Sequence, residues 1–154
     1  QFTQEIISPE GEVLERSHGN FSLLRPHFFR WEILTPDSQL LLANSDQLTQ
    51  IDWDLEVVVE RPIAETASGP LQWLLASRAT LDSAFDISLS GDAAVLVPVD
   101  LQSPYQRLDI AQMAEAVWRL DAEDRGGQVL RVELRENIDR PPQIADFVVP
   151  PTPF

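Results

Sequence analysis

The feature that most constrains this chain is a period of two. Between Gln128 and Glu136, Leu130, Val132 and Leu134 alternate with Val129, Arg131, Glu133 and Arg135. A strand turns successive side chains to opposite faces, so such a run builds a sheet with one apolar and one wet side. The rhythm recurs along the chain. Phe2, Gln4 and Ile6 alternate with Thr3 and Glu5, and Val13 to Leu24 is long and polar-interleaved. Phe28 to Leu34, Leu40 to Ala43, Leu48 to Ile51, Leu55 to Glu60, Phe85 to Leu89 and Ala94 to Val99 are further strand-like runs. Tyr105 to Met113 and Ala116 to Asp121 follow, and Phe147 to Val149 is expected as a last short strand. Turn signals separate the runs. Ser8-Pro9-Glu10-Gly11 carries Pro at i+1 and Gly at i+3, and Thr35-Pro36-Asp37-Ser38, Asn44-Ser45-Asp46, Ser90-Gly91-Asp92 and the stretch from Glu123 to Gly127 also turn. The spacing predicts a mainly β fold of ten to eleven strands. They form a single large antiparallel sheet, curved or partly closed.

One segment breaks the period. Ser68-Gly69-Pro70 reads as a helix start, and Leu71, Leu74 and Leu75 share one face of a short helix, flanked by Trp73. With 154 residues and no internal repeat, one domain over 1–154 is expected. A chain of this size buries ~70% of its unfolded surface, enough for a core. Hydrophobic residues at 44% exclude a disordered chain.

The charge restricts partners. Acidic residues number 25 against 11 basic ones, all of them Arg, giving a net charge of −14. A field of this sign repels nucleic-acid phosphates and anionic lipid surfaces, favours a basic partner, and also serves solubility. No nucleic-acid partner is expected. The absence of Cys removes disulfides and thiolate metal sites. No run approaches the ~18 apolar residues of a membrane helix. The chain begins at Gln1 and not at Met, which is read as loss of an upstream segment, by signal-peptide cleavage, by trimming of the chain or by both.

Catalytic signals are sparse. His18 lies in a polar strand and His27 follows Pro26 in a turn, so both read as surface residues. No nucleophile elbow, phosphate loop or metal-ligand spacing is present, and no cofactor is expected. Asp52 and Asp54 flank Trp53, where aspartates serve turn hydrogen bonds better than acid–base chemistry. Apolar signals are stronger. Phe29, Trp31 and Ile33 alternate along one strand and face one way, whereas Phe28 and Arg30 face the other. Two readings stand: an ordinary core between sheet and helix, or a lipid-sized cavity left because one short helix cannot cover the sheet. Arg25 enters this strand ahead of Pro26, either as a solvated turn residue or as a donor to carbonyls at a helix C-terminus.

At these residues the chain resembles a known family. The stretch from Arg25 to Trp31 is similar to the Arg-Pro-x-x-Phe-x-Trp segment of the LolA lipoprotein carriers. Phe2-Thr3-Gln4 resembles their opening strand, Pro36 to Asp54 their hairpin, and Asp54-Leu55-Glu56 the segment after it. Gly69 to Ser77 resembles their Leu-rich helix, and Phe147 to Pro151 their Phe-x-x-Pro-Pro ending. The likeness covers most of residues 1–77, while 80–140 match in strand rhythm. It implies an unclosed half barrel with helices as a lid over the concave face. It implies a non-enzymatic periplasmic carrier that takes acyl chains of lipoproteins from an inner-membrane ABC transporter and passes them to an outer-membrane lipoprotein receptor. By the same resemblance Arg25 holds the lid, and Phe29, Trp31, Ile33, Leu71, Leu74 and Leu75 line the acyl-chain cavity. The sequence departs from the pattern at Ser45, Thr49, Ile51 and Val57, where the family has Gly, Trp, Tyr and Gln. Those departures leave room for a paralogue carrying another lipid or glycolipid, or for a lipid-sensing interaction domain. The family's amphipathic helix before the Phe-Thr-Gln strand is not in this sequence. An exposed concave face is then expected to bring instability, a dimer through that face, or bound lipid or detergent.

Overall fold

A computed structural model describes residues 1–24, 28–44, 47–62, 78–137 and 139–154. Eleven strands form within them: β1 (Phe2–Ile7), β2 (Val13–Leu24), β3 (Phe28–Thr35), β4 (Gln39–Asn44), β5 (Gln47–Asp52) and β6 (Val57–Pro62), then β7 (Phe85–Ser90), β8 (Ala93–Pro98), β9 (Tyr105–Ala114), β10 (Val117–Asp124) and β11 (Val129–Arg135). They make one antiparallel sheet in the order β6-β5-β4-β3-β2-β1-β11-β10-β9-β8-β7. The ladder is open, with β6 and β7 as its end strands. Among the described residues the α-helix is α1 (Arg78–Ala84), and a single 3₁₀ turn spans Ile144–Phe147. The expected Leu-rich helix, with Leu71, Leu74 and Leu75, lies outside the described residues.

The chain divides into two compact units: Gln1–Arg16 with Ser77–Ile138, and Ser17–Ala76 with Asp139–Phe154. In the first unit the period of two reads directly onto the register. Leu134 pairs with Phe2 and Trp118, Val132 with Gln4 and Leu120, and Leu130 with Ile6 and Ala122. These side chains share one face and continue through Leu108 and Ile110 on β9. Phe2, Leu108, Leu120, Ala122 and Val132 are buried there. The other face carries charge. Arg131 donates to the Asp121 carboxylate through Nε at 2.9 Å and Nη2 at 3.1 Å, and sits opposite Glu5 in the register. Arg16 in turn reaches Glu5 at 2.7 Å. Partly exposed pairs of this kind are worth ~0–1 kcal/mol each, so they fix register and sign more than stability.

The second unit has a core on one side of its sheet. Leu40, Leu42, Ile51 and Phe147 are all at most 1% exposed, with Leu24, Phe28 and Trp53 packed against them. Burying such side chains contributes roughly 1.5–3 kcal/mol apiece. Phe147 comes from the 3₁₀ turn and not from a strand, which corrects the expected strand from Phe147 to Val149. Pro141 and Pro142 before it and Pro150 and Pro151 after it lack the N–H groups that a ladder needs. The segment is held by other bonds. Arg30 Nη1 donates to the Asp146 carbonyl at 3.1 Å, and Asn44 Nδ2 to the Phe147 carbonyl at 2.8 Å. The rings of Phe28 and Phe147 lie 5.4 Å apart, and those of Trp53 and Phe154 meet edge-on at 5.9 Å.

Two local departures have clear causes. β6 begins at Val57 and not at Leu55, because the Asp52 carboxylate takes Leu55 into a turn and Glu56 adopts a left-handed φ of 56°. β2 carries a bulge between His18 and Gly19, where Gly19 faces Ile33 of β3. A Cβ on Gly19 would stand 1.8 Å from the Glu32 carbonyl oxygen, so the strands meet this closely only with glycine there.

Candidate functional site

β3 presents its odd-numbered residues to the face opposite the Phe147 core. Phe29 and Trp31 are 3% and 2% exposed, and their rings stack at 6.1 Å with planes 12° apart. Phe21, opposite Trp31 on β2, extends the row with its ring 6.2 Å away. Small and aliphatic partners from β4 complete the surface, with Ala43 opposite Phe29 and Leu41 opposite Trp31. Ile33 shares the face but stands beside Gly19 near the strand end and is only half-buried. Thus the expected trio is on one side of one strand, and two of its members form a stacked, buried aromatic pair. Arg25, Leu71, Leu74 and Leu75 lie outside the described residues. Phe28 and Arg30 are on the other face as expected, and their partner there is the C-terminal segment.

The polar residues weighed for chemistry have structural work. Asp52 Oδ1 accepts from the backbone N–H of Asp54 at 3.1 Å and of Leu55 at 2.9 Å, and Oδ2 from Gln39 Nε2 at 3.1 Å. Asp54 Oδ2 accepts from the Ser38 N–H at 2.8 Å. Asp52 therefore shapes the β5–β6 turn, and Asp54 ties that turn to the chain just ahead of β4. His18 bonds the Thr35 hydroxyl on the neighbouring strand, at 2.9 Å from Nδ1. His27 lies outside the described residues. Among the described residues no group of three or more His, Cys, Asp or Glu could hold a metal ion. No described helix is long and apolar enough to cross a membrane.

Sequence reasoning missed a second feature, in the first unit. An open groove of about 530 Å³ has a floor of Ile6, Ala122 and Leu130, with Gln4, Tyr105 and Gln128 among its walls. Tyr105 arrives there through a register shift. Arg107 pairs with Glu123 on the charged face, and then β10 slips by one against β9, so that Tyr105 pairs with Asp124. The slip turns Tyr105 to the apolar side, which plain alternation from Arg107 would not do. Burial first, and the Asp124 carboxylate second, push its phenol above the ordinary value of 10.0. The phenol is therefore protonated at neutral pH and able to donate.

The fold is thus an open antiparallel sheet that carries a stacked, buried aromatic row on one apolar face. Comparison with known proteins gives that class its family. The model of the outer membrane lipoprotein carrier protein LolA matches residues 1–147. The outer-membrane lipoprotein carrier protein of Bordetella avium is 30% identical over 148 residues, covering 93% of this chain and 70% of that protein. That of Halorhodospira halophila is 32% identical over 136 residues, covering 88% and 65%, and that of Vibrio cholerae 33% over 110, covering 71% and 56%. The chain belongs to the LolA family of lipoprotein carriers. It spans between about half and two thirds of the length of several of the curated relatives it matches.

Proposed function

We propose that this protein is a periplasmic carrier that holds lipoprotein acyl chains in an apolar cavity and moves them between membranes. The buried Phe29–Trp31 stack, in a chain of the lipoprotein-carrier family, is the observation that carries this reading. Aromatic side chains in a row supply a flat, rigid apolar wall at low entropic cost, and each acyl CH₂ buried against such a wall gains ~0.8 kcal/mol. Cargo with several acyl chains then has ample binding energy, and the difficulty lies in release. In the proposed cycle Phe29, Trp31 and Ile33 line the cavity while Leu71, Leu74 and Leu75 belong to a lid. Arg25 latches that lid by donating to backbone carbonyls. A latch of a few hydrogen bonds, each ~1 kcal/mol net, is weak enough for a partner to open. An inner-membrane ABC transporter loads the carrier and an outer-membrane lipoprotein receptor unloads it. Transfer involves no bond making or breaking, so the protein acts without catalysis.

The test is native mass spectrometry of the protein purified from a bacterial envelope, with identification of what it carries. Triacylated peptide or lipoprotein is the expected passenger, and Arg25→Leu is expected to change its retention while the sheet stays folded. A different bound lipid would replace lipoprotein as the cargo. A ligand-free mass from the complete protein, loaded in vitro by no acylated ligand, would show Phe29 and Trp31 to be ordinary core.

A further inference from the structure

The sheet has two end strands, and they differ in what they turn outward. In the second unit β5 bonds β4 through its odd-numbered residues, a phase fixed by the bond from the Trp53 N–H to the Ser38 carbonyl at 3.0 Å. Its even-numbered residues therefore bond β6, opposite Val57, Val59 and Arg61. Val58, Glu60 and Pro62 are left to point their backbone groups off the edge. Pro62 has no N–H to offer and Glu60 adds a charge, so this edge is blunted.

The β7 edge, in the first unit, has no such protection. Val99 donates its N–H to the Ala84 carbonyl at 2.9 Å, one step beyond the Phe85–Pro98 pair. Bonded pairs alternate with unbonded ones in an antiparallel ladder, so Asp86, Ser88 and Ser90 are the residues that bond β8. Pro98, which lacks an N–H, falls on an unbonded pair, as this phase requires. Ile87 and Leu89 accordingly aim their N–H and C=O groups off the edge, where no described strand pairs with them. Their side chains lie on the apolar face beside Leu96 and Ala94, and Leu89 is 74% exposed. Asp86, Ser88 and Ser90 line the other face. No proline, basic side chain or bulge interrupts the strand.

We propose that β7 pairs with β7 of a second copy of this chain, antiparallel about a two-fold axis at Ser88. In this register Ile87 of each copy exchanges both backbone bonds with Leu89 of the other, so every outward group of these two residues finds a partner. Residues opposite one another in such a pair share a face, and the strand matches itself. Ile87 meets Leu89 on the apolar side, Ser88 meets Ser88, and the Asp86 carboxylate meets the Ser90 hydroxyl. No charge stands opposite a like charge. A slip by one residue would set Ile87 against Ser88 and mix the two faces. The pairing covers Leu89 and lets the apolar faces of the two first units continue across the seam. A net charge of −14 on each copy opposes the approach, so this is a dimer that salt strengthens. The pairing does not depend on what the protein carries.

Sedimentation equilibrium of the full chain over a dilution series reads the association. A monomer–dimer equilibrium is expected, several-fold tighter at about 0.5 M salt than at about 0.05 M. Ile87→Pro removes an outward N–H, leaves the ladder to β8 intact, and is expected to weaken the dimer about tenfold or more. Leu89→Glu alters a side chain that is already exposed and sets two carboxylates diagonally across the axis, with a similar loss expected. Val58→Pro, the matching change on β6, is expected to leave the dimer as it was. Ser88→Cys gives a chain without cysteine its only thiol. At an unbonded pair, with Cα atoms about 4.5 Å apart, it is expected to form a disulfide between copies under mild oxidation. Ser90→Cys, opposite Asp86, is expected to form none. Circular dichroism checks that each variant folds. A full chain that stays monomeric up to about 0.5 mM overturns the proposal. So does a dimer that Ile87→Pro and Leu89→Glu leave equally tight, which would put the contact on another surface.

Discussion

The two units finish their apolar surface in different ways. In the second, one sheet face is closed by the protein's own segment 139–154, and Phe147 is fully buried between Leu40, Leu42 and Ile51. In the first, the aliphatic ladder runs out into a groove that Ile6, Ala122 and Leu130 floor. Both surfaces come from the same alternation of apolar and polar residues. Whether such a face becomes closed core or open groove is decided by a piece of chain that has no period at all.

Four changes test that contrast. The largest effect is expected from Gly19→Ala, whose Cβ would collide with the Glu32 backbone oxygen. With backbone on both sides neither strand can yield, and a loss of more than about 4 kcal/mol is expected, seen as failure to fold or a collapsed urea midpoint. A near-native midpoint would mean that β2 and β3 can separate there without cost. Phe147→Ala comes next. It leaves a cavity under β4 and β5, with an expected loss of about 3–5 kcal/mol read from the urea midpoint. A loss below about 1 kcal/mol would mean that the C-terminal segment does little to close this face. A smaller and opposite effect is expected from Ala116→Gly. Ala116 holds a φ of 59° in the β9–β10 turn, next to the shift between Val117 and Trp118. Glycine relieves that strain, so a gain of about 1 kcal/mol is expected in the first unit by thermal melting. A loss at this position would mean that the Ala116 methyl packs usefully.

The smallest effect concerns pH. The folded protein raises the Tyr105 phenol above 10.0, so it favours the protonated form. That contribution is present in full below the ordinary value and is lost as pH rises through the folded one. The wild-type urea midpoint should therefore fall more steeply above pH ~10 than that of Tyr105→Phe. Parallel curves for the two proteins would remove Tyr105 from the alkaline response.

Much of this was legible in the chain. The run from Gln128 to Glu136 gave β11 within a residue at each end, because alternation and the flanking Gly126-Gly127 agree. Phe29 and Trp31 were placed on one face by spacing alone, and the structure stacks them. The misreadings have a shared physical origin. Leu55 has the composition of a strand residue, but the carboxylate of Asp52, in the turn before it, claims its N–H. Phe147 and Val148 look like strand residues, but the prolines around them forbid a ladder, and the ring is wanted elsewhere. Tyr105 is not legible as a groove residue because one slipped register inverts every face assignment beyond it. Alternation tells which residues share a side only while the count is unbroken. The roles of Arg25, Leu71, Leu74 and Leu75 came from resemblance and stand as proposals.

The bonds that seat the C-terminal segment have a kinetic meaning as well. Asn44 and Phe147 are 103 residues apart in the chain, and Arg30 and Asp146 are 116 apart. Neighbouring hairpins can zip early, since each closes a short loop, but this closure must wait for more than a hundred residues to be gathered. Until then the apolar side of β3 to β5 lies bare, and an intermediate with that side exposed is prone to aggregate. A member of a lipoprotein-carrier family thus passes through a stage at which its own apolar surface needs shielding.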